Sequence, residues 1–363
     1  MKILVITNHS YMFWRFRREL MVRLLEEHEV VLSTPFVGHE EDLRALGCRL
    51  VETEVDRRGI NPVTDSRLIR AYAALLKQER PDLVITYSIK PNIYAGFLCR
   101  IKKIPYCVNV QGLGTAFQKK GLAQLVTIMY RHAVKKAGTV FFENEGNAAL
   151  FRARHITPAG QQTVLHGAGI NLDDYPCRPY PQRDVIRFLY VGRIMREKGV
   201  EELFYAIRNL HEKYGQKVVL DLVGFFEDGY KDQVEALKRE GIATFYGFQE
   251  DPRPFYEQAD CIVLPSYHEG MSNVLLEGAA TGRALIASDI PGCREAVEDG
   301  ISGYLCRVKD REALLEAMER FVACDPQKRA CMGQHSRERM ERLFSRKQVV
   351  EKTVRAILEG FAC

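Results

Sequence analysis

Two segments in the second half of the chain combine charged side chains with glycines, in positions that suit the binding of a phosphate ester. The first segment, GRIMREKG, follows the apolar run RFLYV and contains Arg193 and Lys198 between Gly192 and Gly199. A helix N-terminus attracts anions through its unbonded N–H groups and its dipole, and an arginine and a lysine beside it strengthen that attraction. The segment therefore predicts a diphosphate site, although a solvated basic turn has the same composition.

The second segment, SYHEGMSNVLLEGAATG, contains Glu269 and Glu277, which are eight positions apart. Ser272 is a typical N-cap, so we expect a helix over 273–281. Glu269 then lies in the loop before the helix and Glu277 about one turn inside it. Carboxylates accept hydrogen bonds from sugar hydroxyls, so the pair predicts contacts on either side of a diphosphate. A glutamate pair at this spacing also arises by chance, and His268 is more simply interpreted as a packed or solvated residue.

These segments must be positioned by strands and helices, which alternate along nearly the whole chain. Runs such as KILVIT, DLVITY, RFLYVG and DCIVLP are continuously apolar, as expected for parallel strands covered on both faces of a doubly wound α/β sheet. Residues 169–187 interrupt the alternation with three prolines and four Asp or Asn residues. We therefore expect two Rossmann-like domains facing each other across a cleft, at 1–170 and 187–342, with a linker at 171–186 and a C-terminal helix within 343–363 that returns to the first domain.

Candidate ligand-binding residues of the first domain follow from the same architecture. An open α/β sheet binds its ligands beyond the carboxyl ends of its strands. The residues found there are His9 after the first strand, Lys90 and Asn92 after the fourth, and Gln111, Gly112 and Gly114 after the fifth. We predict that they bind a second substrate, although the glycines are equally well explained by tight turns.

The charge of the chain is small in total but unevenly distributed. The net charge is +5, while residues 1–175 contain 24 Lys and Arg against 17 Asp and Glu, and the remainder contains 28 against 30. The 60 residues 83–142 contain nine Lys or Arg and no acidic residue. The total is too small to indicate nucleic-acid binding, and no such partner is expected. The asymmetry predicts an anionic partner for the first domain, although solvated basic helix faces give the same count.

Several other classes are disfavoured by absent patterns. No run of about 18 apolar residues predicts a membrane-spanning helix, and the start MKILVITNHS does not resemble a signal peptide, so a cytoplasmic location is expected. The ten cysteines form no CxxC pair, so we expect buried, reduced thiols and no metal cluster. No GxGxxG follows Val5 or Val191, which disfavours a dinucleotide-dependent oxidoreductase.

Taken together, the motifs resemble those of a known family. GRIMREKG and the segment PSYHEGMSNVLLEGAATGRALIASDIPGCREAVEDGISG resemble the donor-site half of family 4 glycosyltransferases, which have the two-domain GT-B fold. TYSIKPNIYAGFL, NVQGLGTAF and GINLDDY resemble a bacterial branch that acts in capsule, exopolysaccharide, lipopolysaccharide and lipid-linked glycan assembly. That branch includes N-acetylgalactosaminyltransferases that extend undecaprenyl-diphosphate-bacillosamine. The resemblance covers the chain from Met1 to the C-terminal helix.

The resemblance implies roles for most of the candidate residues. Glu269 would contact the donor sugar near the reacting carbon, and Glu277 would hold the nucleotide ribose. Arg193 and Lys198 would neutralise the donor diphosphate, so that Glu269, Arg193 and Lys198 are the predicted catalytic residues. The other expected donor contacts are Gly270, Met271, Ser272, Asn273, Val274 and, as a stacking surface for the base, Phe248. Many relatives have a histidine near the position of Gln111, so that histidine's role is not transferred to this chain.

The implied function is that of a retaining hexosyltransferase. It would move a hexose or N-acetylhexosamine from a nucleotide sugar, expected to be a UDP-sugar, to a polyprenyl-diphosphate-linked or other surface-glycan acceptor. The chain has no Asp-x-Asp motif, so neither a metal nor a cofactor is expected. Basic helices around Trp14 and over 122–136 would attach the enzyme to the anionic inner face of the cell membrane. A UDP-sugar 2-epimerase and a non-catalytic sugar-binding protein remain alternatives.

Overall fold

The computed structural model describes residues 1–56, 61–113, 117 and 120–361. The chain divides into two compact units. The first unit comprises residues 1–168 and the C-terminal segment from Lys347, and the second comprises Gly169–Arg346. Each unit contains one parallel sheet with helices packed on it.

The first unit contains a seven-stranded sheet in the order β3-β2-β1-β4-β5-β6-β7. Its strands are β1 (Lys2–Ile6), β2 (Glu29–Thr34), β3 (Arg49–Glu52), β4 (Leu83–Tyr87), β5 (Tyr106–Val110), β6 (Val140–Phe142) and β7 (Gln162–Val164). The helices between them are α1 (Ser10–Leu25), α2 (Glu40–Ala45), α3 (Pro62–Glu79), α4 (Ile89–Lys102), α5 (Lys120–Ala133) and α6 (Glu145–Ala153). In β1, Leu4 and Ile6 belong to one apolar core, and Ile3 and Val5 belong to another. Both faces of this strand are covered, which is why its sequence is continuously apolar.

The second unit contains a six-stranded sheet in the order β10-β9-β8-β11-β12-β13. Its strands are β8 (Ile186–Val191), β9 (Val218–Val223), β10 (Ala243–Phe245), β11 (Cys261–Leu264), β12 (Ala284–Ser288) and β13 (Gly303–Cys306). Its helices are α7 (Val200–Tyr214), α8 (Lys231–Arg239), α9 (Arg253–Gln258), α10 (Asn273–Ala280), α11 (Arg311–Val322) and α12 (Pro326–Arg339), followed by a π-helical turn over Met340–Phe344. The two sheets repeat one strand order, which is that of doubly wound nucleotide-binding folds.

The C-terminal helix, α13 (Arg346–Glu359), packs within the first unit. Its apolar side chains Val349, Val350, Val354 and Ile357 are buried in the same core as Ile3 and Val5 of β1. The Nζ of Lys352 donates to the carbonyl oxygen of Val164 in β7 at 2.9 Å. The last helix therefore completes the covering of the first sheet.

The segment 171–186, expected to be a linker, is bound firmly to the second unit. The guanidinium of Arg283 is fully buried and donates to the carbonyl oxygens of Arg178 and Pro179, each at 3.1 Å. The hydroxyl of Tyr180 donates to the carbonyl oxygen of Asp260 at 2.9 Å. Hydrogen bonds therefore fix this segment in spite of its turn-forming composition.

Among the described residues, no helix has both the length and the apolar content needed to cross a membrane. The nine described cysteines form no disulfide, and six of them are buried. Cys177 and Cys331 are exposed, so the expectation of burial is wrong for these two, which lie on the surface of the 171–186 segment and of α12.

Candidate functional site

The strand order reverses once in each sheet, between β1 and β4 in the first and between β8 and β11 in the second. Loops on the two sides of such a point diverge, which leaves a crevice at the carboxyl ends of the strands. The two predicted donor motifs follow β8 and β11, and the predicted acceptor residues follow β1, β4 and β5. Each set therefore lies at or beside the reversal point of its own unit.

The loop after β8 and the loop after β11 are held together by their backbones. The N–H of Tyr267 donates to the carbonyl oxygen of Glu197 at 2.9 Å. Gly199 has a φ of +71°, and a Cβ at this position would lie 2.1 Å from the carbonyl oxygen of Pro265. Only glycine permits this approach. The two predicted motifs thus form a single surface.

The central contact of this surface joins Lys198 to Glu269. The Nζ of Lys198 lies 2.5 Å from Oε1 of Glu269, and the two side chains are 20% and 14% exposed. Lys198 ends a 3-10 turn over Arg196–Lys198. Two residues that were predicted from separate motifs, 71 positions apart, therefore form one partly buried ion pair.

Arg193, the second predicted cation, also has a carboxylate partner. One terminal guanidinium nitrogen of Arg193 lies 2.5 Å from Oε2 of Glu227. Glu227 lies beyond the carboxyl end of β9 and was not predicted. The only signal for it in the sequence is its position four residues after the apolar run VVLDLV. The site thus contains two cations, each held by a carboxylate from another loop.

The N-terminus of α10 forms part of the same surface. Ser272 is its N-cap, as predicted, and its side chain accepts a hydrogen bond from the N–H of Leu275 at 3.3 Å. The N–H of Ser272 donates to the carbonyl oxygen of Gly292, in the loop after β12, at 2.9 Å. Met271 is buried, whereas Gly270, Asn273 and Val274 are partly exposed. A helix N-terminus therefore lies directly beside Glu269, where it favours an anion.

Glu277 lies deeper than the sequence suggested. It is 3% exposed, and its Oε2 accepts a hydrogen bond from the hydroxyl of Tyr256 in α9 at 2.8 Å. Tyr256 was not predicted, and its only signal is an aromatic residue on a short helix. The carboxylate of Glu277 is therefore fixed by a neighbouring helix.

Two exposed aromatic side chains lie beyond the carboxyl ends of β9 and β10. Phe248, predicted as a stacking surface, is 60% exposed, and Phe225 is 47% exposed. Their ring centroids are 6.3 Å apart, with an interplanar angle of 64°. Phe225 was not predicted, although the run GFFEDG places it directly after a strand. An exposed aromatic pair of this kind offers ring faces to a planar base.

In the first unit, four of the six predicted acceptor residues line one cavity of about 270 Å³. Its lining residues are Asn8, Val55, Ser88, Ile89, Lys90, Asn92, Gln111 and Gly112. Gly114 lies outside the described residues. His9 is not among the lining residues; it is the N-cap of α1, and its Nδ1 accepts a hydrogen bond from the N–H of Met12 at 3.4 Å.

Ser88 is a feature of this cavity that sequence reasoning missed. It has a φ of +74°, a conformation that costs a residue other than glycine about 1–3 kcal/mol. Its hydroxyl donates to Oδ1 of Asn8 at 2.8 Å and so joins the loops after β1 and β4. Strain of this kind is concentrated at functional sites.

Lys90 and Asn92 occupy different settings in the cavity wall. The Nζ of Lys90 lies 2.8 Å from Oδ1 of Asp65, a buried residue of α3. The side chain of Asn92 is buried. Its amide nitrogen donates to the carbonyl oxygen of Asn109, and its amide oxygen accepts from the hydroxyl of Thr86. Lys90 is therefore the charged group of this wall, while Asn92 joins β4 to β5.

The helix around Trp14, expected to contact a membrane, has part of its basic face buried. Arg17 in α1 is 6% exposed, and one terminal nitrogen of its guanidinium lies 2.7 Å from Oε1 of Glu143, which follows β6. Trp14 stacks on the ring of His39 at 5.7 Å. Burial raises the pKa of Glu143 to about 7, against the opposing effect of Arg17.

This raised pKa predicts a pH dependence of stability. The unfolded chain has an ordinary Glu pKa of about 4.3, so between about pH 4.3 and 7 the folded state binds more protons than the unfolded state. The contribution of Glu143 to the free energy of unfolding should therefore be present at low pH and fall as the pH rises through this range. Urea unfolding at several pH values should show that Glu143→Gln becomes relatively more stable, compared with the wild type, as the pH rises. A stability difference independent of pH would contradict the assignment.

The chain is similar to known proteins over most of its length. Residues 14–168 match the family described as "Glycosyl transferase 4-like domain", and residues 186–324 match "Glycosyl transferases group 1". The N,N'-diacetylbacillosaminyl-diphospho-undecaprenol alpha-1,3-N-acetylgalactosaminyltransferase of Campylobacter jejuni is 26% identical over 335 residues, which cover 87% of this chain and 88% of that protein. The UDP-Gal:alpha-D-GlcNAc-diphosphoundecaprenol alpha-1,3-galactosyltransferase of Escherichia coli is 24% identical over 73% of this chain and 72% of its own length.

Solved structures show the same fold. HepE from Anabaena in complex with UDP superposes with a TM-score of 0.79 at 15% identity, covering 99% of this chain and 100% of that one. Sucrose-phosphate synthase from Thermosynechococcus elongatus gives a TM-score of 0.78 at 21% identity, covering 100% and 99%. The two-domain GT-B fold predicted from the sequence is thus confirmed. The chain therefore contains a glycosyl transferase 4-like domain followed by a group 1 glycosyl transferase domain, and it is a glycosyltransferase.

Proposed function

We propose that this glycosyltransferase moves a hexose or N-acetylhexosamine from a UDP-sugar to a saccharide linked to polyprenyl diphosphate, with retention of anomeric configuration. The second unit would bind the donor, and the first unit would bind the acceptor. The observation that carries the proposal is the Lys198–Glu269 pair at the N-terminus of α10, with Arg193 on the neighbouring loop. The names of the Campylobacter jejuni and Escherichia coli relatives supply the acceptor class.

Arg193 and Lys198 would bind the donor diphosphate. As the bond between the anomeric carbon and the diphosphate oxygen breaks, its electron pair passes to the diphosphate and negative charge grows there. Two cations already in position stabilise this charge without reorganisation. The N–H groups at the start of α10 add a favourable dipole.

Each cation has a carboxylate partner, which matters for the chemistry. Glu269 and Glu227 hold Lys198 and Arg193 in fixed positions through contacts of 2.5 Å. A bound diphosphate would share these cations with the carboxylates. Glu269 then lies where a sugar attached to the diphosphate would meet it, and it can accept hydrogen bonds from sugar hydroxyls.

The second half of the reaction uses the acceptor. The acceptor hydroxyl forms the new bond to the anomeric carbon, and its proton passes to an oxygen of the departing diphosphate. When the hydroxyl attacks from the face that the leaving group vacates, configuration is retained and no protein nucleophile is needed. The cavity at Asn8, Ser88, Lys90, Gln111 and Gly112 is the proposed place for the acceptor saccharide.

A transfer assay tests the proposal. Purified protein would be incubated with UDP-, GDP- and ADP-sugars and a detergent-solubilised undecaprenyl-diphosphate saccharide, with and without EDTA. We expect a product only from a UDP-sugar, a rate unchanged by EDTA, and an NMR spectrum of the product showing the donor's anomeric configuration. A folded protein that binds UDP but transfers no sugar would contradict the proposal, and epimerisation of the UDP-sugar without acceptor would support the epimerase instead.

A further inference from the structure

Three aromatic side chains contact one another at one edge of the first unit. The imidazole of His39, in the loop after β2, lies 5.2 Å from the ring of Tyr11 and 5.7 Å from that of Trp14, measured between ring centroids. Tyr11 and Trp14 lie in the first turns of α1, and all three residues are partly exposed. Trp14 also packs against an apolar core of the unit, which gives the cluster a rigid base. We call Tyr11, Trp14 and His39 the aromatic platform.

The loop that carries His39 is bound to the start of α1 through one hydroxyl. The hydroxyl of Ser10 donates to Oε1 of Glu40 at 2.8 Å and accepts from the N–H of Val37 at 2.9 Å. The same oxygen of Glu40 accepts from the N–H of Gly38 at 2.7 Å. Hydrogen bonds therefore fix the position of His39 relative to α1, independently of the contacts between the rings.

The backbone of His39 is strained. Its φ is +64°, in the left-handed region that residues other than glycine rarely adopt. Its Nδ1 lies 2.6 Å from Oδ2 of Asp42, which orients the ring. Strain that persists in a folded protein is concentrated at ligand-binding and active sites. The strain at His39 therefore indicates that the position of this ring serves binding.

The platform adjoins the acceptor cavity. Asn8 lines that cavity, and Tyr11 follows it by three positions, across the start of α1. The strands β2 and β4 are the two neighbours of β1 in the sheet, so the loops that follow them begin about 10 Å apart. Two linked sugar rings span a distance of this size. A saccharide whose terminal sugar occupies the cavity would therefore present its second sugar to the platform.

The chemistry of the platform suits a neutral ligand that is rich in hydroxyl groups. The face of a pyranose ring presents C–H groups, which the electron-rich face of an aromatic ring attracts. The first turn of α2, directly after His39, contains three carboxylates, those of residues 40–42. Carboxylates repel phosphate groups but accept hydrogen bonds from sugar hydroxyls. Charge complementarity thus favours a sugar over a diphosphate or an anionic lipid.

We propose that the aromatic platform binds the second sugar of the acceptor, counted from the end that receives the transferred sugar. The enzyme would thereby select a carrier lipid that already holds at least two sugars. The inference rests on the proposed function, which supplies the acceptor saccharide, and it adds a subsite that sets the length of that saccharide.

The fluorescence of Trp14 tests the platform directly, because it is the only tryptophan of the chain. The wild-type protein would be titrated with detergent-solubilised undecaprenyl diphosphates that carry no sugar, one N-acetylhexosamine or two, with a hexose series beside them. We expect a saturable change in emission with a disaccharide carrier and a much smaller change with the other two. The measurement involves no transfer, so it is independent of the proposed reaction.

Two substitutions each remove one ring from the platform. Asparagine tolerates the left-handed conformation and places its amide near the position of the imidazole Nδ1, so His39→Asn retains the contact with Asp42. In His39→Asn and in Tyr11→Ala, the KM for the disaccharide carrier should rise about 10-fold, the size of one aromatic contact. The kcat and the KM for the UDP-sugar should stay near the wild-type values. Tyr11→Phe keeps the ring and should behave like the wild type.

The matched control is Phe97→Ala, which removes an exposed aromatic ring of α4 in the same unit but outside the platform. It should leave all of these constants unchanged. The monosaccharide carrier is a second control, because it does not reach the platform, and its kcat/KM should be the same in every variant. A purely structural role of the rings would instead lower the rates with both carriers together with the urea midpoint of unfolding.

Three results would overturn the proposal. The first is an equal kcat/KM of the wild type for monosaccharide and disaccharide carriers. The second is a wild-type KM for the disaccharide carrier in both ring variants. The third is a change in Trp14 emission caused by vesicles of phosphatidylcholine and phosphatidylglycerol without saccharide, which would identify a lipid surface as the occupant. A fluorescence response to the disaccharide carrier without transfer to any carrier would support the subsite and refute the proposed function.

Discussion

Replacement of Lys198 by alanine is expected to reduce the turnover number for sugar transfer by at least about 100-fold, the usual effect of removing one preorganised charge at a developing oxyanion. Lys198 Nζ lies 2.5 Å from Glu269 and beside the N-terminus of α10, where the leaving diphosphate is proposed to bind. The charge it stabilises grows during bond breaking. The turnover number should therefore fall more than binding of the UDP-sugar weakens.

Glu269→Ala should cause a loss of similar size, and the double variant should be little worse than either single variant. The two side chains act as one unit, and the effects of such residues are not additive. The effect is measured as the initial rate of sugar transfer by all three variants at saturating donor and acceptor.

The matched control for this prediction is Lys217→Ala. Lys217 also ends a 3-10 turn in the second unit, but it is exposed and lies at the start of β9, at the opposite edge of the sheet. Its removal should leave the rate unchanged. Transfer at the wild-type rate by both Lys198→Ala and Glu269→Ala would refute the proposed site.

Replacement of Arg283 by methionine is expected to lower the free energy of unfolding by about 3–5 kcal/mol, the range for breaking a buried charged network. The side chain of Arg283 is fully buried, and its guanidinium donates five hydrogen bonds to backbone carbonyl oxygens. No described carboxylate forms a salt bridge with it, and burial lowers its pKa.

The expected loss of stability arises from the carbonyl oxygens that accept hydrogen bonds from Arg283. Methionine fills a similar volume but donates no hydrogen bond, so the carbonyl oxygens of Glu257 and Gly282 and those of the 171–186 segment lose this donor, whereas that of Tyr256 keeps the N–H of Ala259. Each unsatisfied buried group costs about 1–3 kcal/mol, and removal of the buried charge offsets part of that cost. The segment bound through Arg178 and Pro179 should loosen first, which limited proteolysis would detect.

Urea unfolding measures the effect, with Arg208→Met as the control. Arg208 contacts Glu240 on the surface, where both side chains are about 40% exposed. An exposed pair contributes at most about 1 kcal/mol, so this control should unfold close to the wild type. A loss below about 1 kcal/mol for Arg283→Met would show that the network contributes little to stability.

Much of the architecture could be predicted from local pattern. The run KILVIT became β1 (Lys2–Ile6), DLVITY became β4 (Leu83–Tyr87), and Ser272 caps α10 as expected. These features depend on periodicity and on capping chemistry, which a short stretch of sequence contains in full. The same holds for the order of strands and helices, which indicated two doubly wound units.

Other features of the candidate site could not be predicted from the sequence because they are long-range contacts. Glu227 beside Arg193, Tyr256 beside Glu277 and Asp65 beside Lys90 join residues between 21 and 34 positions apart. Nothing local to either partner indicates the other. Such pairs exist only because strand order and helix packing bring distant loops together.

The sequence by itself determined the two glutamates and two cations of the donor motifs, because their residue types and their positions after apolar runs can be recognised without a structure. The tertiary structure decided that Lys198 pairs with Glu269 and that Glu277 is buried against α9. It also decided that Lys102, Lys103, Lys135 and Lys136 lie at or just beyond the C-terminal ends of α4 and α5, whereas Lys90 lines the cavity at the start of α4. The physical reason is that a count of charges along the chain does not show where each residue lies in space. In a doubly wound sheet the helices run antiparallel to the strands, so the C-terminal end of a helix lies at the opposite end of the sheet from the loops that follow the strands.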